Sequence, residues 1–277
     1  QPLVGGDIGG FFKATTAELF VRWMQSSLLS AFFRNHNDAE YDQYAWSFGP
    51  AYTKIIKKMI QWRYRLLPYI YTTMQKTAEQ GLAFQRPLLH DYQDDSACRD
   101  IEDQYLCGES LLVAPILEKG QSSRRVYLPK GQWYRWGSDQ IVEGEAFYDL
   151  EVSLAELPLF VKAGSIIPCL ANDIDSTEDY LDTPTELKIF VPKEDAVYKS
   201  NLYEDDTLSQ AHTEGDCCRS LWQLEKKGKK LSLRLIEDGD VDAEWKRKEF
   251  KVRFYGESKL LDMMIQREEK AWDFEII

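Results

Sequence analysis

The sequence predicts an α/β segment built like the end of a parallel barrel, followed by two all-β sandwiches. Three observations carry this. Residues 1–81 alternate short apolar runs with helical periodicity. After Gly81 the pattern changes to short runs of period two, separated by turn residues. An acidic stretch at 171–184 then divides the β region in two.

In the α/β segment, residues 1–12 read as a strand and its exit loop. There Gly9 and Gly10 permit a sharp turn and close approach of the backbone to a neighbour or ligand. Thr15 and Glu18 have the spacing of a capping box. The apolar positions Leu19, Phe20, Trp23, Met24 and Leu28 predict an amphipathic helix over 16–29. Ala31-Phe32-Phe33 is expected to form a short buried strand, with Arg34 to Asp38 as its polar exit. The loop to about Pro50 mixes acids with aromatics (Glu40, Tyr41, Asp42, Tyr44, Trp46, Phe48), as a cleft wall would. From Ala51 to about Glu79 one long helix is expected, with Ile55, Ile56, Met59, Ile60, Leu66, Leu67, Ile70 and Met74 near one face. Pro68 should kink it by removing a backbone bond, and Gly81 should close it. Polar residues at the carboxyl ends of barrel strands face the active site. Asp7 and His36 fall at such ends.

The β region begins with Leu111 to Pro115, Arg125 to Pro129 and Pro158 to Val161, punctuated by Lys130-Gly131 and Ala163-Gly164. Regular short strands of this kind predict a sandwich over 82–170. The stretch 171–184 reads as a linker, where proteolysis should cut first. Beyond it, Leu187 to Val191, Asn201 to Tyr203, Leu231 to Leu235 and Phe250 to Phe254 predict a second sandwich over 185–277. The last two runs alternate with one face in and one out.

Composition narrows the function. A net charge of −12 argues against nucleic acid and anionic membrane surfaces as partners. No run of 18 apolar residues is present to span a membrane. The five cysteines (Cys98, Cys107, Cys169, Cys217, Cys218) are odd in number and lack a CxxC spacing. Reduced thiols in a reducing, cytoplasmic compartment are therefore expected. Eight Trp within 13% aromatic residues fit either core packing or the stacking surface of a sugar cleft. The chain starts at Gln1 inside a predicted strand, so it reads as the later part of a longer protein.

Several motifs stand in order along the chain. They are Gly6-Asp7-Ile8-Gly9-Gly10-Phe11, Arg22-Trp23-x-Gln25, Arg34-Asn35-His36, Arg63-Tyr64-Arg65-Leu66-Leu67-Pro68-Tyr69-x-Tyr71 and Arg86-Pro87. Then follow Asp103-Gln104-Tyr105-x-x-Gly108, Tyr127-Leu128-Pro129-x-Gly131-x-Trp133 and Tyr203-Glu204-Asp205-Asp206. This ordered set resembles glycoside hydrolase family 31, the family of α-glucosidases and α-xylosidases. The resemblance implies the last two βα units of a (β/α)8 TIM barrel (1–81), a proximal sandwich (82–170), a linker (171–184) and a distal sandwich (185–277). It implies a retaining exo-acting α-glycosidase, an α-glucosidase first of all, whose partners are an oligosaccharide and the preceding part of the enzyme. The family's nucleophile and acid/base motifs do not occur in this sequence. No catalytic residue is therefore assigned to it, and the chain alone is expected to be inactive. No metal or cofactor is implied.

By the same resemblance His36 bonds ring hydroxyls of the terminal sugar, Phe11 forms an apolar wall of that pocket, and Asp7 lines it. Each has a structural alternative: a strand-end cap for His36, core packing for Phe11, and the orienting of a neighbouring Arg or Trp for Asp7. Arg34 is expected in a buried ion pair rather than on substrate. Glu40 and Asp42 read as solvated loop charges, and Glu204-Asp205-Asp206 as a turn rather than a calcium site. A non-catalytic carbohydrate-binding or structural β-sandwich module, or another family specificity (α-xylosidase, transglucosidase, glucan lyase), is the alternative. Residues 1–80 count against the module, which has no need of barrel units.

Overall fold

A parallel pair of strands opens the chain. The computed structural model describes residues 3–38, 40–256 and 262–276. In it β1 (Asp7–Ile8) pairs in parallel with β2 (Arg34–Asn35), joined by helix α1 (Ala17–Ser26), which makes one βα unit and the strand after it. Gln1 and Pro2 of the expected first strand, Ala39 of the following loop, and 257–261 and Ile277 of the distal region lie outside the described residues. The second strand sits further along than the apolar run 31–33. Arg63 explains the shift: its Nη1 donates to Leu28 O at 2.6 Å and Ser30 O at 2.8 Å, and its Nη2 to Ala31 O at 3.4 Å. These bonds occupy carbonyls in the lead-in to β2, where among the described residues only the Phe32 N–H reaches the first segment, at Val4 O (3.3 Å), and the paired ladder begins at Arg34.

The cap of α1 is Thr16, whose hydroxyl accepts the Leu19 N–H at 3.2 Å, and not Thr15. Glu18 is thereby freed from a capping box and accepts the Gly120 N–H at 2.7 Å, across to the first β domain. Phe20, Val21 and Met24 of α1 pack with Ile8 and with Ile56 of the next helix. The long helix is two: α2 (Pro50–Arg65) and α3 (Leu67–Gln80), broken at Leu66. Pro68 has no N–H to offer the Tyr64 carbonyl, so the helix interrupts there rather than bending through. Gly81 ends α3 with φ 65°, a left-handed turn that suits glycine.

The first β domain has a six-stranded antiparallel sheet. Its strands in chain order are β3 (Gln85–Arg86), β4 (Tyr105–Cys107), β5 (Leu111–Val113), β7 (Gln132–Arg135), β8 (Ile141–Glu143) and β10 (Leu159–Lys162). Their spatial order is β3-β4-β5-β10-β7-β8. A ribbon of β6 (Ser123–Leu128) and β9 (Ala146–Glu151) forms the second layer. The inner strands β4, β5 and β10 of the large sheet are largely buried on both faces. Cys107, Val113 and Val161 pack with Leu66, Tyr69 and Ile70 of the barrel helices, whereas Leu106, Leu112 and Phe160 pack with Val126 and Leu128 of the ribbon.

The distal domain packs two four-stranded sheets over one core. One holds β11 (Ile166–Leu170), β12 (Thr185–Phe190), β16 (Glu249–Tyr255) and β17 (Met263–Gln266). The other holds β13 (Ala196–Glu204), β14 (Cys218–Lys227), β15 (Lys230–Asp238) and β18 (Ala271–Glu275). Strands β12 and β16 run parallel, which side-chain alternation cannot reveal. The boundary expected at 170 shifts, because β11 pairs with β12 along its whole length and belongs to the distal sheet. The stretch 171–184 therefore joins two neighbouring antiparallel strands. Ile174 and Tyr180 in it are buried against Leu170, Tyr64 and Leu67, so it is pinned rather than an open linker.

Several of the motif residues form struts between these parts or within them. Arg22 donates to Gln25 Oε1 at 3.0 Å and to Ser153 O at 3.2 Å, and Gln25 to Leu154 O at 2.8 Å. Arg65 reaches Leu170 O at 3.1 Å and Glu186 at 3.2 Å. Tyr69 donates to Cys107 O at 2.8 Å, and Gln104 bonds both the N–H and the C=O of Tyr127 at 2.8 Å.

Candidate active site

The carboxyl ends of β1 and β2 converge. Along a strand, alternate side chains face opposite sides. Ile8 turns into the helix layer and is buried against Phe20 and Ile56. Asp7 stands opposite Arg34 in the ladder, and its Oδ1 accepts the Arg34 Nε at 3.0 Å and Nη2 at 2.7 Å. Both side chains are partly exposed, so the ion pair expected of Arg34 exists but is not buried. Asp7 is thus paired with Arg34 across the ladder.

Two residues beyond Arg34, His36 lies beside Phe11, with ring centroids 5.4 Å apart and planes tilted by 34°. The Asp38 N–H donates to Phe11 O at 2.9 Å, which ties the two exit loops together. His36 is exposed, and among the described residues no hydrogen bond engages its ring. Its two ring nitrogens can donate to or accept from a neighbouring hydroxyl. Asp7, Phe11 and His36 are therefore gathered at one end of one parallel pair.

Sequence reasoning passed over Gln43, the buried amide that holds this corner. Its Nε2 donates to Ile8 O at 2.8 Å, to Asn35 Oδ1 at 3.0 Å and more weakly to Gly10 O at 3.4 Å, while Asn35 Nδ2 donates back to Gln43 O. One side chain thus fixes both strand exits and the loop after β2. Gly9 is required by the same contact: a Cβ there would stand 2.6 Å from Gln43 Nε2, and its φ is 92°. The signal that could have flagged Gln43 is faint, a single amide in the aromatic run Tyr41 to Trp46.

Asn35 to Asn37 and Glu40 to Tyr44 line an open hollow of about 270 Å³. Glu40 and Asp42 are both exposed on its wall. The turn at Asp206 is closed by its own carboxylate, which accepts the Leu208 and Ser209 N–H groups at 3.1 and 3.0 Å. Among the described residues no group of three or more His, Cys, Asp or Glu is placed to hold a metal ion. No helix among them is long and apolar enough to cross a membrane.

Comparison with known proteins agrees with this architecture. The model of the glycosyl hydrolase family 31 TIM-barrel domain matches residues 1–73, and that of the glycosyl hydrolase family 31 C-terminal domain matches 81–167. An α-glucosidase of Bacillus thermoamyloliquefaciens is 33% identical, over 87% of this chain and 30% of its own length. An α-xylosidase of Saccharolobus solfataricus is 34% identical, over 76% of this chain and 29% of its own. Among solved structures, the family 31 dextranase of Flavobacterium johnsoniae, complexed with glucose, superposes with a TM-score of 0.82 at 28% identity. It covers 91% of this chain, which in turn covers 32% of it. The chain belongs to glycoside hydrolase family 31 and carries the end of its barrel together with C-terminal β domains. It spans 17–30% of the length of the curated relatives it is compared with.

Proposed function

We propose that this chain is the C-terminal part of a retaining, exo-acting α-glucosidase that removes terminal α-linked glucose from oligosaccharides. The observation that carries the reading is the Phe11–His36 contact at the ends of two parallel barrel strands, with the imidazole open to solvent. Retaining hydrolysis needs two carboxyl groups about 5–5.5 Å apart, one as nucleophile and one as acid/base. In this reading the portion of the enzyme outside this sequence supplies them. Phe11 gives the sugar ring an apolar wall. His36 hydrogen-bonds ring hydroxyls and tightens on them as the ring flattens toward the oxocarbenium-like transition state. Asp7 neutralises Arg34, which keeps an unpaired cation away from that developing positive charge. The glucosidase specificity leans on the named α-glucosidase relative. The five cysteines are buried, and we place the enzyme in the cytoplasm.

The test compares purified residues 1–277 with the full-length protein on an aryl α-glucoside. The full-length protein should release glucose with the α configuration retained, and the chain alone should release none. Turnover by the chain alone would put the catalytic pair within it. A full-length protein inert toward α-glucosides would remove the reading altogether.

A further inference from the structure

The loop between β2 and α2 displays two large aromatic rings on the surface. Tyr44 is 51% exposed and Trp46 69%, and their rings stack on one another with centroids 5.1 Å apart and planes within 8° of parallel. Rings of this size are ordinarily buried for the greater part. The loop is held without them. Gln43 anchors it on one side through Ile8 and Asn35, and Phe48 on the other, with its ring 4.9 Å from that of Phe20. Between the anchors the Tyr44 N–H donates to Ser47 Oγ at 3.0 Å, and the Ser47 N–H returns to Tyr44 O at 3.0 Å. The outward display is therefore not a requirement of folding the loop.

Tyr44 also lines the hollow that contains His36, so the ring pair continues the candidate sugar pocket outward. An exo-acting site holds only the terminal sugar, and the rest of the oligosaccharide must leave along the adjoining surface. A pyranose presents an apolar C–H face that suits a flat aromatic plane while its equatorial hydroxyls stay in water. The exposed Glu40 and Asp42 on the same wall disfavour an anionic chain and leave a neutral one unopposed. We propose that Tyr44 and Trp46 form a stacking platform for the leaving-group side of a neutral oligosaccharide, beyond the sugar held at His36. The inference rests on the glycosidase reading above, and it adds the part of the chain that selects for substrate length.

The experiment uses the full-length protein, its Trp46→Ala variant and its conservative Trp46→Tyr variant. Two substrates separate the effects: α-glucosyl fluoride, whose leaving group has no ring to stack, and an α-linked glucotetraose. For Trp46→Ala, kcat/KM on the tetraose should fall about tenfold, mainly through KM. On the fluoride it should stay within about twofold of the parent, and Trp46→Tyr should recover most of the loss. Unchanged tetraose kinetics would overturn the platform. So would an equal loss on both substrates, or a clear drop in Tm, since either means that the rings pack against another part of the protein. Should the full-length parent cleave neither substrate, the glycosidase reading fails, and titration calorimetry with the tetraose decides the platform separately. Binding heat that Trp46→Ala abolishes supports it, and the absence of binding by the parent overturns it.

Discussion

Tyr71 and Asp205 meet across the joint between α3 and the distal sandwich, the phenol donating to Oδ2 at 2.6 Å. The same oxygen accepts the Tyr203 hydroxyl at 2.9 Å, and Oδ1 accepts the Thr207 N–H at 2.8 Å. One position along α3, the Thr72 hydroxyl accepts the Tyr203 N–H at 3.0 Å. Two motifs 134 residues apart are therefore the two sides of one joint. Burial, and then the bond to Asp205, push the Tyr71 phenol above its ordinary value and keep it a donor. Tyr71→Phe retains the ring and removes the donor, leaving a buried carboxylate short of a partner. It should lower stability by about 1–3 kcal/mol, read from the denaturant midpoint at unchanged slope.

Thr207 follows this turn with φ 59°, a left-handed conformation that a β-branched residue adopts at a cost. Its backbone N–H serves Asp205, and glycine keeps that bond. Thr207→Gly should raise stability by about 0.5–1 kcal/mol, because the relief of strain exceeds the greater chain entropy of glycine. A lower unfolding midpoint for the variant would contradict this.

Arg267 centres the buried charge network of the distal sandwich. It donates to Glu204 Oε2 at 2.6 Å, Asp238 Oδ1 at 3.0 Å and Arg247 O at 2.9 Å. Arg267→Met should cost about 3–5 kcal/mol, since Glu204 keeps its burial and loses its nearest cation. The same network sets an acid limit. Burial alone would raise the Asp238 carboxyl, but Arg267 and Lys246 outweigh it and hold it below the usual carboxylate value. A depressed folded value means that the stabilisation is complete above the unfolded value, about 3.9, and is lost as pH falls through the folded one. Tm should therefore drop as pH is lowered below about 4, and Asp238→Asn, already destabilised, should show a shallower drop.

How much of this was legible in the sequence depended on how local the cause was. Helical period, Gly81 and Pro68 located α1 and the span of α2 and α3, read as one kinked helix, because each acts within one turn of backbone. The strand at 34–35 was misplaced because Arg63, nearly thirty residues away, claims the carbonyls ahead of it. The apparent linker at 171–184 looked open because acids dominate its composition. Its two buried residues, Ile174 and Tyr180, gain their partners only once α2 and α3 are in place. Phe11 and His36 were singled out by their motifs, and the structure brings their rings together. Gln43 was missed because an amide carries no periodic or charge signal, and its role emerges only when three backbone segments meet at it.

His36 supplies the sharpest test of the site. Its ring is exposed and lies against Phe11, and no hydrogen bond among the described residues engages it. A loss of activity at unchanged Tm would come from contacts made with substrate. In the full-length protein His36→Ala should lower kcat/KM on an aryl α-glucoside at least about a hundredfold, equivalent to about 2.7 kcal/mol of transition-state stabilisation. The fall should appear in kcat as well as in KM, because hydrogen bonds to ring hydroxyls strengthen as the ring flattens. Tm should move by no more than about 2 °C, as for other exposed substitutions. Phe11→Ala makes a useful comparison: it removes the ring that His36 rests on but leaves the imidazole present, so its loss should be smaller and weighted toward KM. Near-normal turnover by His36→Ala would remove His36 from the sugar pocket. A variant that unfolds would instead assign it the structural role of a strand-end cap.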